Sequence, residues 1–320
     1  MTEAVIPAVG PAVGPAVSPA VGPALQFHLF APQMRMQLDD LVARARAAEG
    51  AGFDGIALMD HLAPPLALDQ PMWEAMTAAT WLAAHTGTLG IGHLVLCDAF
   101  RHPAVLARQA VTLDHASGGR FELGIGSGST PEELDVFGIP AGTARQRVDH
   151  LGETLEALRA LWSGEAVDLA GPTLRLSGAR QVPVPVRPIP IVIGGTGKRT
   201  MGLVARFADW WNVPVHELDR LDDLRPLAGS ARTSVQVAVT FVPSGADRHQ
   251  VLAMAERRFG WMTRSVRLVG DGPELVDRLA ALRGRGVERV YTWFTDFAPP
   301  DVLEAFGAEV ISPFCGATIP

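Results

Sequence analysis

Apolar positions along this chain repeat one alternation: a short, nearly continuous apolar run, then a stretch with helical spacing. Leu25 to Phe30 is the first run, and Leu38, Leu41, Val42 and Ala45 then mark one face of a helix over residues 37–50, stopped by Gly50 and Gly52. Phe53 to Met59 predicts a second strand and residues 72–85 a helix; Leu89 to Cys97 predicts a third strand, with Pro103 at a favoured first helical position. Arg120 to Ile125 gives a fourth strand, followed by a long loop and a helix over 146–162. The rhythm breaks over 165–188, where short β-like pieces and Pro183, Pro185 and Pro188 predict an inserted hairpin. It resumes with strands at 189–193, 209–213, 234–242 and 287–294, helices over 198–208, 247–259 and 273–284, and a last helix from near Pro300.

Eight strands alternating with helices predict an α/β fold, a (β/α)8 TIM barrel with a small β-hairpin insertion after helix 4. Runs apolar on both faces fit buried parallel strands. A doubly wound open sheet is the alternative, since one sequence does not display strand order. The expected organisation is a tail at 1–24 and one barrel at 25–320. The tail repeats Pro-Ala-Val-Gly from Pro7, and proline at every fourth position opposes both helix and sheet. It lacks the basic segment and unbroken apolar stretch of a signal peptide.

Composition narrows the function. A net charge of −7 excludes a basic face for nucleic acid, and 48% hydrophobic residues suffice for a large core. Cys97 and Cys315 are far apart and read as free thiols, which fits the cytoplasm. No apolar run has the roughly 18 residues of a membrane span.

In such a barrel, chemistry sits just past the C-terminal ends of the strands. That places Asp60-His61, Cys97 to Pro103, Gly124 to Glu133 and Gly194 to Thr200 at the mouth. Gly194-Gly195-Thr196-Gly197 opens a helix directly after an apolar strand, so its backbone amides can meet a phosphate, although a plain tight turn reads equally well. Gly124-Ile125-Gly126-Ser127-Gly128 lacks a clean third glycine for a dinucleotide loop and reads better as unobstructed backbone under a flat ring. His61 ends a buried strand, where an imidazole can donate a proton. His93 lies within the third strand and faces either the interior or a ligand. Glu122 reads as a paired structural carboxylate, Asp114-His115 and Asp149-His150 as capping or surface residues, and Glu132 and Glu133 as solvent-facing. No HExxH, CxxC or GxSxG motif is present, and one histidine, His28, stands where a metal hydrolase barrel has two.

Several stretches in this order resemble the luciferase-like monooxygenase family, in particular its deazaflavin (coenzyme F420) branch. They are Ala47 to Gly55, Met59-Asp60-His61-Leu62, Phe100-Arg101-His102-Pro103, Thr112-Leu113-Asp114, Ser117 to Gly128, Leu158 to Trp162, Ile193 to Gly197, and Ala208 to Asn212. The resemblance covers about residues 25 to 315. It implies a homodimer, a ring system in the mouth, and a phosphate on the loop Gly194 to Gly197. It also implies a non-proline cis peptide at Leu94-Val95 behind the ring, His61 as proton donor, and Asp60 in contact with the cofactor. Ser127 and Gly128 complete the expected ring contacts, with His93. Ser129 and Thr130 stand where many members have an aromatic or acidic residue, which counts against a sugar-phosphate dehydrogenase. The implied function is hydride transfer between coenzyme F420 and a small organic substrate. The alternatives are a reduced-FMN monooxygenase served by a separate reductase, and a flavin-binding barrel without catalysis. Lys198 and Arg199 are candidates for holding an acidic cofactor tail. Trp73, Trp210, Trp211, Trp261 and Trp293 are expected near the mouth, which would favour an apolar substrate.

Overall fold

The computed structural model describes residues 24–65, 67–262 and 267–316, so the proline-rich tail reading lies outside the described residues. The strands are β1 (Gln26–Phe30), β2 (Gly55–Leu58), β3 (Gly90–His93), β4 (Leu96–Cys97), β5 (Leu123–Gly126), β6 (Val167–Ala170), β7 (Arg175–Ala179), β8 (Ile191–Gly194), β9 (Trp210–Val213), β10 (Arg232–Phe241), β11 (Arg267–Gly270) and β12 (Arg289–Phe294). The sheet runs β3-β2-β1-β12-β10-β9-β8-β5-β4, with every pairing parallel. A parallel bridge joins Ile91 of β3 to Phe121, just ahead of β5, so the sheet closes on itself as a barrel and the open-sheet alternative is set aside.

Helices cover the outside: α1 (Leu38–Gly50), α2 (Ala75–His85), α3 (Pro103–Ala116), α4 (Pro131–Val136), α5 (Ala144–Leu161), α6 (Lys198–Phe207), α7 (Leu221–Leu224), α8 (Arg248–Phe259), α9 (Gly272–Gly284) and α10 (Pro300–Phe306). Their starts follow local chemistry. Thr143 and Gln146 form a reciprocal cap on α5, Asp271 and Glu274 do the same for α9, and Pro103 opens α3. Between barrel and helices lies one large apolar core, in which Leu29, Ile56, Ile125, Ile193 and Val235 from the strands meet Leu41, Leu82, Leu106, Leu155 and Val204 from the helices.

Three elements differ from expectation. The third strand is two short strands, β3 and β4, separated by a cis peptide at Leu94–Val95. The loop after β5 contains the helix α4. The strand β11 pairs with the C-terminal half of β10 on the side opposite β12, since Ala238 is registered with both Trp293 and Arg267. Its four residues begin with an arginine, which hides the apolar run; burial of Arg267 is made tolerable by its bond to Glu256 at 2.8 Å. The hairpin β6-β7 is antiparallel and follows α5, the outer helix of the fourth strand–helix unit.

The barrel interior carries a polar layer. Arg289, 2% exposed, reaches across to Glu122 with two hydrogen bonds of 2.6 and 3.0 Å and lies 3.7 Å from the Trp210 ring centroid. It also bonds Tyr291 at 3.1 Å and Gln26 at 3.0 Å. Glu122 is thus the paired structural carboxylate that its mid-strand position predicts.

Candidate active site

The C-terminal ends of β2, β4, β5, β8 and β9 surround a cavity of about 480 Å3. Asp60, His61, Leu94, Val95, Ser127, Gly128 and the run Gly194 to Gly197 all line it, joined by Cys97, Glu133 and Asn212. The sequence-predicted residues therefore converge, with one exception. His93 is 1% exposed and turned away from the cavity, with Nε2 3.3 Å from the Ala75 carbonyl and its ring edge-on to Phe121. Its strand neighbours alternate in direction, and only the break at Leu94–Val95 brings the chain back to the mouth. Burial pushes the His93 imidazole down to about 4, which keeps it neutral.

His61 is held by a carboxylate. Its Nδ1 lies 2.7 Å from Glu133 Oε2, and Glu133 Oε1 accepts from the amides of Leu62 and Ala63 at 2.6 and 3.2 Å. Glu133 therefore does not face solvent, as its sequence position had predicted. Thr130-Pro131-Glu132-Glu133 has the spacing of a helix capping box, in which Glu133 would turn back to Thr130. Thr130 instead makes no side-chain cap on α4, and the carboxylate crosses to the loop after β2. With Nδ1 committed, Nε2 is the imidazole atom left to exchange a proton at the cavity.

Asp60 is 6% exposed and already engaged. Arg101 donates to its two oxygens at 2.6 and 2.9 Å, and the Cys97 amide donates at 2.8 Å. Burial opposes the charge of Arg101, but these bonds outweigh it and raise its pKa. Asp60 thus fastens β4 beside the cavity, a placement that limits its use as a direct cofactor ligand. Burial pushes the Cys97 thiol up to about 11, so it is a neutral wall of the cavity.

The floor is backbone. A side chain at Gly126 would come within 2.9 Å of Val95 Cγ2, and Gly128 has φ +83° with Cys97 Sγ close by. Gly195 has φ +125°, a conformation open to glycine, and the loop is fixed by Trp211, whose indole donates to the Gly195 carbonyl at 2.8 Å. Gly197 is the N-cap of helix α6 and supplies no side-chain cap, leaving first-turn amides free to meet an anion. An uncapped helix start on a glycine loop, beside a side-chain-free floor, fits a phosphate-bearing flat ring. Among the described residues no cluster of three or more metal-ligating side chains occurs.

The tryptophans do not line this cavity. Trp211 is fully buried, Trp210 stacks on Arg289, Trp73 donates to the Met36 carbonyl, and Trp261 and Trp293 pack with Phe259. Arg199 is paired with Asp149 at 2.5 Å on the surface. Nor is His150 a plain surface residue: it bonds Asp98, 2% exposed, at 2.6 Å. Asp114 is buried and accepts from the Val186 amide at 2.7 Å, tying down the segment after the hairpin.

The family model of luciferase-like monooxygenases matches residues 20–261. The chain belongs to that family and is an oxidoreductase. It is 30% identical over 212 residues to an F420-dependent hydroxymycolic acid dehydrogenase of Mycobacterium tuberculosis, covering 62% of this chain and 56% of the relative. An F420-dependent glucose-6-phosphate dehydrogenase of Beutenbergia cavernae is 32% identical over 189 residues, covering 56% of this chain and 52% of the relative. The chain thus matches about half the length of both. Among solved structures, an F420-dependent secondary alcohol dehydrogenase in complex with an F420-acetone adduct superposes with TM-score 0.77 at 17% identity, covering 90% of this chain and 99% of the other. A monooxygenase from Streptomyces bottropensis superposes with TM-score 0.75 at 18% identity, covering 91% and 100%.

Proposed function

We propose that this protein is a coenzyme F420-dependent oxidoreductase that transfers a hydride between the deazaflavin and a small organic substrate. The observation that carries the reading is His61 held by Glu133 at the cavity. A hydroxyl carbon that gives up a hydride must also release its hydroxyl proton, and His61 Nε2 is placed to take it; in the reverse direction it returns the proton. The names of the two F420-dependent relatives support the same cofactor. When bound, the deazaflavin supplies the hydride chemistry.

The chain's own residues do the rest. Gly194, Gly195, Thr196 and Gly197, with the start of α6, would hold the phosphate. Leu94 and Val95 would support one face of the ring, with Ser127 and Gly128 under its edge. Asp60 and Arg101 hold β4, and with it Cys97, in position. The proposal also includes a cytoplasmic homodimer and, for the FMN alternative, a separate reductase. An apolar surface over Trp73, Met76 and Trp81, the last 42% exposed, supports self-association. Among the described residues no helix is long and apolar enough to cross a membrane.

The test is an anaerobic titration of the purified protein with F420 and with FMN, each oxidised and reduced. Tight binding of F420 with weak FMN binding supports the proposal. Preference for reduced FMN makes the protein an oxygen-activating monooxygenase, and binding of neither removes the catalytic reading.

A further inference from the structure

Beside the first cavity lies a second, of about 420 Å3, which shares Phe100 and Ser127 with it. Its far wall is the N-terminal half of α5 and the turn before it. Arg147 lines it with no carboxylate partner among the described residues. Its Nη1 donates only to the carbonyls of Ala141 and Gly142, and its buried Nε has no hydrogen-bond partner. A guanidinium has five donors in a rigid fork, and the two carbonyl contacts of Nη1 leave the outer edge of that fork to a ligand in the cavity. His150 lines the same cavity. Its Nδ1 is committed to Asp98, which leaves Nε2 as its remaining polar atom.

We propose that this cavity is an oxyanion subsite. It takes a carboxylate or phosphate group through the Arg147 guanidinium and His150 Nε2, while the rest of the same molecule occupies the first cavity. The shared wall of Phe100 and Ser127 is the passage between them. Arg101 is held by Asp60 and Glu74, and His150 is paired with Asp98, so Arg147 is the cationic side chain of this wall that no carboxylate holds among the described residues. The hydrogen bond from His150 to the Asp98 carboxylate raises the His150 pKa against the opposing effect of burial, with Asp98 and Glu153 adding further attraction. The groups facing His150 are Asp98, Arg101 and His102 from the segment after β4, and Arg147 and Glu153 from its own helix. Protonated His150 and Arg147 would together grip an anion in charge-assisted bonds, and the grip weakens once His150 loses its proton.

The source of the anion, a cofactor's acidic tail or the substrate, rests on the function proposed above; the subsite itself does not. The experiment titrates inorganic phosphate into the full-length protein at about pH 6 and about pH 9, by calorimetry and by histidine-ring NMR. The expected result is a phosphate whose affinity falls roughly tenfold or more in Arg147→Gln, is retained in Arg147→Lys, and falls in His150→Gln mainly at the lower pH. Unchanged melting temperatures establish that the variants fold. Phosphate that binds equally to wild type and Arg147→Gln, or does not bind at tens of millimolar, overturns the proposal.

A second arm measures F420 affinity with and without saturating phosphate. A rise in apparent Kd that Arg147→Gln abolishes assigns the subsite to the cofactor tail; no change assigns it to the substrate's acid group. If F420 does not bind at all, the functional reading fails while the phosphate result still decides the subsite.

Discussion

Glu133 on α4 holds Nδ1 of His61 at 2.7 Å and, with its other oxygen, the amides of Leu62 and Ala63. One carboxylate thus fixes both the ring and the loop that carries it. Replacing His61 by Ala should lower kcat by about 10²–10⁴-fold, the usual contribution of a positioned acid or base. Glu133→Gln keeps the loop bonds but loses the charge, so its loss should be smaller, with cofactor affinity within about threefold of wild type. Steady-state kinetics together with a binding titration check this. A Glu133→Gln enzyme with unchanged kcat and pH profile would remove Glu133 from the positioning of His61.

The pair Arg289–Glu122 inside the barrel gives a stability prediction. Arg289→Met strands a carboxylate against a low-dielectric interior and should cost about 3–5 kcal/mol. For a chain of this size that is on the order of 10 °C in melting temperature. The double variant Glu122→Leu/Arg289→Met removes both charges and should recover most of the loss. Thermal melts of the single and double variants decide; equal loss in both would mean that the volume of the side chains, not their charge, holds this layer.

The alternation of apolar runs with helical spacing made the barrel legible, because buried parallel strands leave a strong, periodic trace. The run Gly194 to Gly197 was legible from its place between an apolar strand and a helix, and the Leu94–Val95 break through the family resemblance. Glu133 was not. Its local spacing predicts a helix cap, and only the tertiary fold, which brings α4 against the loop after β2, redirects the side chain. Arg147 and the Asp98–His150 pair escaped for the same reason: they are 49 to 52 residues apart in sequence and meet only across the mouth. His93 failed in the opposite way, because strand alternation beside a break does not tell which side a residue faces.

His93 also sets a pH dependence. Its folded pKa of about 4 lies below the ordinary 6.5, so the unfolded chain binds a proton at higher pH than the folded one does. Stability is therefore full above pH 6.5 and is lost as pH falls toward 4, by about 3 kcal/mol from this residue. His28, also pushed down by burial and then by Arg289, adds in the same direction. His93→Gln can keep the bond to the Ala75 carbonyl without titrating, so its melting temperature should fall less steeply over this range. Parallel curves for wild type and variant would show that His93 does not carry the acid sensitivity.

Gly195 tests the phosphate loop. At φ +125° a Cβ would strain the backbone and come within 3.1 Å of Thr200 Cγ2. Gly195→Ala should therefore displace the loop that leads into α6 while leaving the barrel intact, because the contacts of this loop with β9 are few: the amide of Gly195 to the Asn212 carbonyl at 3.2 Å, and the Trp211 indole. The expected stability cost is about 1 kcal/mol, whereas cofactor affinity should fall at least tenfold, since the amides of the first turn of α6 lose their alignment on the anion. Fluorescence titration with F420 and with the same deazaflavin lacking its phosphate separates the two effects. The variant should weaken the phosphate-bearing compound and leave the phosphate-free one nearly unchanged. Equal weakening of both would place the phosphate elsewhere and reduce the glycine run to a tight strand-to-helix turn.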